Sequence, residues 1–380
     1  MSQKTIAILK SDLGTHGGLE KYCKRIAEAL VQYGYKVFLL TAGEVPQGEL
    51  PYTVHSLTKR SKWSFWHLLR FDRAAAAWLS KNKVDYVFGM DRNFCGQHFY
   101  RAGNGVHAAY LEHRKAYTSF WKRCSFFLNP LHFLIRSMEK KTYTSSTLQR
   151  LFVNSEMVRD ELVHYYPEVD PAKICAVHNG VEWYELGEFF TNSCEDERNS
   201  AYQFLFIGNE YERKGLLLLL QALTLVRKPY ELTVIGKERC LARYKAYAQK
   251  LGIDRFIHFL GQQKNVRPYY QKADAIVIPS YYDPFANVTV EALAMGLFVV
   301  SSPKNGGKEV LTHDTMGVVF DAFTPASVAH ALEIAMQRPK TRKTGAAIRN
   351  AVQHLDFSHQ IGKLIRELSN YAGPDGPEHS

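Results

Sequence analysis

The fold is decided by the stretch from Ser280 to Gly296, SYYDPFANVTVEALAMG, together with the apolar runs on either side of it. Residues 275–279, AIVIP, indicate a buried parallel strand, and residues 297–301, LFVVS, indicate the next strand. Between them, Pro284 cannot lie inside a helix, whereas Asn287 is a favourable N-cap residue. The pattern therefore predicts a strand, a turn, a helix and a second strand.

Two carboxylates flank the predicted start of the helix. Asp283 lies in the turn, and Glu291 lies one helical turn inside the helix. A helix N-terminus presents free backbone N–H groups and the positive end of the helix dipole, which suit a phosphate or a sugar hydroxyl. The alternative is an ordinary strand-to-helix turn with two solvated acidic residues.

Length and composition bound the class of protein. The 380 residues allow two or three domains, and 46% hydrophobic residues are enough to form a core. No run of eighteen apolar residues occurs, and the opening residues enter a predicted strand at Lys4–Leu9, so we expect neither a membrane-spanning helix nor a secretory leader. Six widely spaced cysteines predict reduced thiols, without a disulfide framework or a zinc site.

Strands and helices alternate along both halves of the sequence, which predicts doubly wound parallel sheets of the α/β class. The polar, non-periodic residues within 180–200 predict a domain junction. We therefore expect two Rossmann-like domains, 1–180 and 181–358, facing each other across a deep cleft. A C-terminal helix at 359–372 is expected to pack back toward the first domain, and 373–380 to form a disordered tail.

Two further strand-to-helix turns carry residue types that suit a phosphate ligand. Gly17 and Gly18 follow the first strand, where a glycine pair lets the backbone approach a ligand closely. The turn is not a GxGxxG fingerprint, so a dinucleotide site is poorly supported. Arg213 and Lys214 also follow a predicted strand, and paired cations there match a diphosphate. The alternatives are a ligand-free tight turn and a surface salt bridge.

The positive charge is concentrated in the first half of the chain. Residues 1–180 contain 25 Lys+Arg against 15 Asp+Glu, whereas residues 181–380 contain 23 against 22. Basic residues alternate with aromatic ones in two segments, 59–66 and 113–141. This composition suits the headgroup layer of an anionic bilayer, which is the preferred interpretation. It would also suit single-stranded nucleic acid, or a core helix with a solvated basic face.

Four motifs at predicted strand ends resemble those of the retaining, nucleotide-sugar-dependent glycosyltransferases of family four, which have the GT-B fold. They are GG at 17–18, NGV at 179–181, RKG at 213–215 and the stretch 283–296. The resemblance extends over nearly the whole chain. Residues 100–114, YRAGNGVHAAYLEHR, are most similar to the lipopolysaccharide core glucosyltransferases that extend the inner-core heptose. Those are monotopic enzymes on the cytoplasmic face of the inner membrane.

The resemblance implies a catalytic set of five residues: His107, Arg213, Lys214, Asp283 and Glu291. Arg213 and Lys214 would neutralise the donor diphosphate as the sugar departs. Asp283 would contact hydroxyls of the transferred sugar, and Glu291 would bind the donor ribose. His107 matches a histidine that contacts the donor sugar near the reaction centre. Asp283 departs from the family pattern, which usually has Glu at this position.

The resemblance also implies a set of donor-binding residues: Gly17, Gly18, Lys264, Val266, Phe285, Ala286 and Asn287. The glycine pair would lie against the diphosphate. Backbone N–H groups of residues 285–287 would help to hold the sugar and the phosphate. The turn at 263–266 would frame the nucleobase.

Transfer with retention requires a stabilised diphosphate leaving group, which two cations and a helix N-terminus can provide electrostatically. No DxD motif follows an apolar strand, so we expect an enzyme that needs no metal and no cofactor. The resemblance implies transfer of a hexose, glucose from UDP-glucose, to a lipopolysaccharide core heptose by a cytoplasmic enzyme peripheral on the inner face of the cell membrane. The expected partners are a nucleotide sugar, a lipid-linked saccharide and an anionic membrane surface, and no nucleic acid.

Three alternatives lead to other activities. A glycosyltransferase with another glycan or lipid acceptor would share every donor motif. A GT-B nucleotide-sugar epimerase would share the diphosphate site but would not need the basic, aromatic surface of 113–141. A nucleic-acid-binding protein would explain the charge of the first half, but not the cations at 213–214 and the carboxylates of Asp283 and Glu291 in the neutral half.

Overall fold

The computed structural model describes residues 3–13, 18–45, 48–61, 63–118, 129–191 and 201–372. The chain forms two compact units. The first comprises residues 1–112, 118–177 and 361–380, and the second comprises residues 113–117 and 178–360. The predicted tail at 373–380 lies outside the described residues.

The first unit contains a parallel sheet whose strands are β1 (Thr5–Leu9), β2 (Lys36–Ala42), β3 (Thr53–Thr58), β4 (Tyr86–Gly89), β5 (Phe99–Arg101), β6 (Arg150–Val153) and β7 (Ile174–Ala176). Their order in space is β3-β2-β1-β4-β5-β6-β7. The helices are α1 (Gly18–Gln32), α2 (Ser64–Lys81), α3 (His107–Arg114), α4 (Pro130–Tyr143) and α5 (Glu156–Tyr165). Ala7 and Leu9 pack with Phe71 of α2, whereas Ile6 and Ile8 are buried on the opposite face. Both faces of the sheet are therefore covered.

The second unit contains another parallel sheet, with strands β8 (Tyr202–Ile207), β9 (Tyr230–Ile235), β10 (Ile257–Gly261), β11 (Ala275–Ile278), β12 (Phe298–Ser301) and β13 (Gly317–Val319). Their order is β10-β9-β8-β11-β12-β13. Phe204 and Phe206 of β8 point into one buried cluster and Leu205 points into another. This alternation shows that helices cover both faces, as the doubly wound prediction requires.

The helices of the second unit are α6 (Trp183–Thr191), α7 (Leu216–Leu223), α8 (Leu241–Lys250), α9 (Arg267–Lys272), α10 (Asn287–Ala294), α11 (Pro325–Met336) and α12 (Arg342–Ala351). The last helix, α13 (Phe357–Ala372), belongs to the first unit from Ile361 onward. Helix α6 lies within the segment 180–200 that the sequence indicated as a junction. Among the described residues, no helix combines the length and the apolar character needed to cross a membrane.

The direction of winding reverses between β1 and β4 in the first sheet, and between β8 and β11 in the second. Ligands of open α/β sheets bind beyond the carboxyl ends of the strands at such a switch point. Lys10 and Asp91 follow β1 and β4, and Arg213 and Asp283 follow β8 and β11. The topology therefore places charged groups at the switch point of each sheet.

The prediction that Asn287 caps α10 is wrong. Ala286 is the N-cap residue, with an extended backbone and no side-chain capping bond, and Asn287 is the first helical residue. The Asn287 amide oxygen instead accepts a hydrogen bond from Asn179 Nδ2 at 2.7 Å. A long-range partner therefore competes successfully with the local cap.

The basic, aromatic segment 113–141 does not form a single element. His113 stacks on Tyr282 and Tyr117 stacks on Tyr281, with ring centroids 5.0 and 5.2 Å apart, so residues 113–117 pack in the second unit. Residues 119–128 lie outside the described part of the chain. Residues 130–141 of the segment form most of α4.

Candidate functional site

The loop after β8 brings Arg213 and Lys214 to the switch point because two glycines let it fold tightly. Gly215 has a φ of +76°, and a Cβ there would lie 2.1 Å from the carbonyl oxygen of Pro279, so only glycine fits. The aliphatic part of Lys214 runs over Gly208, where a Cβ would come within 3.1 Å of it. The ammonium group of Lys214 thereby reaches the end of β11.

A single carboxylate meets two cations at this point. Asp283 Oδ2 accepts a hydrogen bond from Lys214 Nζ and lies 3.8 Å from Arg213 Nη1. The side chains of Asp283, Lys214 and Arg213 are only 11%, 13% and 23% exposed. In the poorly exposed part of the cluster two cations share one carboxylate, and the Glu210 carboxylate, which is 68% exposed, pairs with Arg213 from the solvent side.

Arg213 is held in place by its neighbours. It donates to the Tyr282 carbonyl oxygen at 3.2 Å and to the Glu210 carboxylate at 2.8 Å. Burial alone would lower the pKa of Arg213, but the carboxylates of Asp283 and Glu210 outweigh that effect and raise the pKa above its ordinary value. The guanidinium group therefore remains charged.

The backbone of Asp283 is fixed by the loop that follows β12. Asp283 N donates to the Lys304 carbonyl oxygen at 2.9 Å, and Gly306 N donates to the Asp283 carbonyl oxygen at 2.9 Å. The two hydrogen bonds form an isolated parallel bridge between Asp283 and Asn305. The position of the carboxylate therefore depends on this loop.

Asn305, which is fully buried, joins the same loop to the start of α10. Its Oδ1 accepts from Ala286 N at 3.1 Å and from Gly307 N at 3.0 Å. Its Nδ2 donates to Thr289 Oγ1 at 3.2 Å and to Ser301 Oγ at 3.0 Å. The amide group thus makes four hydrogen bonds, which is its full capacity of two acceptor and two donor positions.

One of the predicted backbone donors at 285–287 is engaged by that amide. The N–H group of Ala286 bonds to Asn305, so in this structure it is not available to a ligand. Phe285 is buried and stacks on His178, with ring centroids 5.6 Å apart. The assignment of Phe285 and Asn287 as donor-binding residues stays a prediction.

Glu291 is half-buried on α10 and accepts a hydrogen bond from Tyr270 OH at 2.7 Å. Tyr270 is buried, and burial together with the neighbouring Glu291 carboxylate raises its pKa well above the ordinary value. The Tyr270 hydroxyl therefore stays protonated, and the hydrogen bond that it donates orients the Glu291 carboxylate. Lys264, which is exposed, and Val266, which is half-buried, lie in the loop before α9, the helix that carries Tyr270.

The first unit holds His107 at the first position of α3, where it is 8% exposed. The fully buried Glu139 accepts from His107 N at 3.1 and 3.2 Å, from Arg92 Nε at 2.7 Å and from Tyr166 OH at 2.8 Å. A carboxylate at a helix N-terminus is favoured by the helix dipole. The His107 Nε2 atom lies 3.0 Å from His132 Nδ1.

The switch point of the first sheet carries a second buried charge pair. Lys10 Nζ donates to Asp91 at 3.0 Å, and Ser11 donates to the same carboxylate through its backbone and hydroxyl groups, both at 2.6 Å. Burial alone would raise the pKa of Asp91, but Lys10 and Ser11 outweigh it and lower the pKa. Gly18 begins α1 in this unit, and Gly17 lies outside the described residues.

Several of these residues were missed by sequence reasoning. Asp91 lies two residues after the end of β4, so its position after an apolar strand was a usable signal. Asn305, Tyr270 and Glu139 act through partners distant in sequence, and no local pattern distinguishes them. Within the described residues, no group of three or more His, Cys, Asp and Glu side chains is arranged to hold a metal ion.

Two parallel-sheet domains of the α/β class, each with charged groups at its switch point, are the elements of the GT-B fold. The family model for Glycosyltransferase Family 4 matches residues 16–182, and the model for Glycosyl transferases group 1 matches residues 194–351. The first domain is therefore similar to Glycosyltransferase Family 4 and the second to Glycosyl transferases group 1. The expected fold class, two Rossmann-like α/β domains, is confirmed.

Three known proteins illustrate the relationship. An uncharacterized glycosyltransferase of Methanocaldococcus jannaschii is 26% identical over 334 residues, which cover 82% of this chain and 83% of that protein. WaaG, a glycosyltransferase involved in lipopolysaccharide biosynthesis, has a crystal structure that matches with a TM-score of 0.76 at 19% identity, covering 94% of this chain and 98% of WaaG. The structure of Anabaena HepE in complex with UDP-glucose matches with a TM-score of 0.70 at 13% identity, and the match covers 96% of this chain and 99% of HepE. The two structural matches show a shared fold.

Proposed function

We propose that this glycosyltransferase is a retaining, metal-independent hexosyltransferase that transfers glucose from UDP-glucose to a heptose of the lipopolysaccharide core. The observation that carries the proposal is the cluster of Arg213, Lys214 and Asp283 at the switch point between β8 and β11. The two cations are largely shielded from water by burial, so their attraction for a diphosphate is stronger than at an exposed site.

A bound diphosphate would compete with Asp283 for the two cations. Because the diphosphate of a nucleotide sugar carries two negative charges, Lys214 and Arg213 would pass from the carboxylate to phosphate oxygens. The released Asp283 carboxylate would then accept hydrogen bonds from hydroxyls of the sugar. The pairing of Asp283 with both cations supports the roles proposed for all three residues.

In the proposed reaction, the bond between the anomeric carbon and the phosphate oxygen breaks, and its electron pair remains on the departing UDP. Arg213 and Lys214 stabilise that charge in place of a metal ion. The acceptor hydroxyl attacks from the face of the leaving group, and a donor phosphate oxygen takes its proton. The anomeric configuration of the sugar is therefore retained.

The remaining predicted residues bind the donor. His107 contacts the transferred sugar, and Glu291, oriented by Tyr270, accepts hydrogen bonds from the ribose hydroxyls. The turn that contains Lys264 and Val266 frames the base, and the glycines at 17–18 lie against the diphosphate. The choice of UDP-glucose is supported by the HepE complex with that donor. The choice of a lipopolysaccharide acceptor is supported by the similarity to WaaG, which is involved in lipopolysaccharide biosynthesis.

We also propose that the first unit binds the anionic inner face of the cell membrane. Trp63, Trp66 and Phe133 are 76%, 53% and 79% exposed, which is unusual for such large apolar side chains. Exposed Lys59 lies near the tryptophans in sequence, and exposed Arg136 lies one turn from Phe133 on α4. Aromatic rings inserted among headgroups with cations beside them are typical of peripheral membrane proteins.

The proposal is tested by incubating the protein with radiolabelled UDP-glucose and a heptose-bearing lipid A core, with a core that lacks heptose as control. We expect label to enter only the heptose-bearing core, and NMR of the product to show an α-linkage. A β-linked product would refute retention. Label on a different acceptor would favour another glycan or lipid product, and a changed sugar still attached to UDP would favour an epimerase.

A further inference from the structure

Two histidines of the first unit share a hydrogen bond that the proposed roles do not explain. His107 Nε2 lies 3.0 Å from His132 Nδ1, and the two ring centroids are 5.0 Å apart. We propose that His132 is a positioning residue, which fixes the orientation and the tautomer of the His107 ring. This inference rests on the proposed function, in which His107 contacts the transferred sugar.

The backbone of His107 is already rigid. Both oxygens of Glu139 accept from His107 N, and Glu139 is itself held by Arg92 and Tyr166 in a fully buried position. A fixed backbone still leaves rotation about the side-chain bonds of the histidine. The ring therefore needs further contacts if it is to face a ligand in one orientation.

Two rings supply those contacts. Tyr110, one turn further along α3, stacks on His107 with centroids 5.8 Å apart and an angle of 29° between the planes. His132 provides the directional contact, from a half-buried position in the first turn of α4. That turn is fixed by Asn129, whose side chain accepts from Leu131 N at 3.0 Å. His132 therefore lies in the first turn of a helix whose N-terminus is capped by Asn129.

The chemistry of imidazole couples the two rings. In a hydrogen bond between two neutral imidazoles one nitrogen donates and the other accepts, so the contact contains one proton. The tautomer of His107 is consequently determined by that of His132. Loss of the contact would let His107 exchange tautomers and rotate, which reduces the fraction of molecules with the ring in the productive position.

The test compares His132→Phe with His132→Asn. Phenylalanine fills the space of the ring but cannot form the hydrogen bond, whereas the asparagine amide can replace Nδ1. We expect His132→Phe to lower kcat by roughly 10-fold to 100-fold with a small change in the KM for UDP-glucose. We expect His132→Asn to remain within about threefold of the unchanged enzyme. His164→Phe, an exposed position on α5, is the matched control and should leave kcat unchanged.

A second readout is independent of activity. In nitrogen-15 NMR spectra recorded at about pH 8, where imidazole is neutral, we expect separate His107 Nδ1 and Nε2 signals typical of a single tautomer. His132→Phe should merge them toward averaged positions. Unchanged His107 signals together with an unchanged kcat in His132→Phe would overturn the inference. If the unsubstituted protein transfers no sugar, but its His107 signals change in His132→Phe as expected, the proposed function would be refuted and the positioning role of His132 would stand.

Discussion

In the proposed reaction a diphosphate displaces the Asp283 carboxylate, and the two cations that pair with this carboxylate are not equivalent. Arg213 is anchored by the Tyr282 carbonyl oxygen and by Glu210, so its planar group presents a fixed donor pair. Lys214 carries its charge on a flexible chain above Gly208, so its ammonium group can follow the leaving phosphate. We therefore assign the stabilisation of the departing UDP chiefly to Lys214.

Replacement of Lys214 by Met should lower kcat by about 100-fold to 1000-fold, because the departing UDP loses a charged partner in a partly buried site. Initial rates of UDP release from UDP-glucose measure the effect. Lys228→Met, at an exposed position of the same unit, is the matched control and should keep the full rate. Equal rates for the two variants would contradict the role given to Lys214.

Replacement of Glu291 by Gln should weaken UDP binding by about 10-fold to 100-fold, since a charge-assisted hydrogen bond to the ribose is worth about 1.5–3 kcal/mol. Tyr270→Phe, which removes the hydroxyl that orients Glu291, should weaken binding less. Calorimetric titration with UDP measures both affinities. A larger loss in Tyr270→Phe than in Glu291→Gln would show that Glu291 is not the ribose ligand.

At the scale of secondary-structure elements, the position of the turn at 283–287 depends on the loop that follows β12. The parallel bridge between Asp283 and Asn305 and the four hydrogen bonds of the Asn305 amide connect the ends of β11 and β12 to the start of α10. The loop after β12, which is far in sequence from Arg213 and Lys214, thus determines the position of the Asp283 carboxylate.

Asn305→Ala should lower the free energy of unfolding by about 2–5 kcal/mol, because it leaves the buried N–H groups of Ala286 and Gly307 without their acceptor. It should also reduce the rate of transfer by displacing Asp283. Urea denaturation of this variant and of Asn350→Ala, an exposed position on α12, provides the comparison. If the two variants were equally stable, the proposed support of the turn would be wrong.

The strands and helices around 275–301 were predictable because their signals are local. Continuous apolar runs indicate buried parallel strands, and Pro284 sets a limit on the start of α10. The N-cap was mispredicted because Asn287 finds a partner in Asn179, and propensity contains no information about a contact 108 residues away. For the same reason Asn305 could not be identified from the sequence.

Among the charged residues of the site, some have a local sequence signal and others depend on contacts between distant parts of the chain. The cations at 213–214 and the carboxylates of Asp283 and Glu291 were predicted as site residues because each lies in a motif that begins after a strand end. The structure then adds the pairing of Asp283 with both cations, which spacing alone does not give. The partners of His107, namely Glu139 and His132, lie on other elements and became visible only in the folded chain.

At the scale of the whole molecule, the uneven charge of the two halves fits a protein whose first unit faces an anionic surface. The second half of the chain, residues 181–380, is nearly neutral, with 23 Lys+Arg against 22 Asp+Glu, and contains the cluster of Arg213, Lys214 and Asp283. A protein with this distribution would associate with an anionic membrane through its more basic first unit.

Combined replacement of Trp63 and Phe133 by Ser should reduce binding to vesicles that contain anionic lipid by about tenfold or more, since each loses a large apolar ring. Vesicle co-sedimentation measures binding, and vesicles of neutral lipid serve as a second comparison. Tyr33→Ser, at a 54% exposed aromatic position of the same unit, is the matched control. Unchanged co-sedimentation of the double variant would contradict the proposed membrane face.

The most direct test of metal-independent transfer by the Arg213–Lys214–Asp283 cluster is release of UDP from UDP-glucose by the purified protein in the presence of EDTA, with and without heptose-bearing lipid A core. We expect release that is stimulated by the acceptor, unaffected by EDTA and lost in Lys214→Met. Release that requires a divalent ion, or that survives the loss of Lys214, would contradict the role of the cluster.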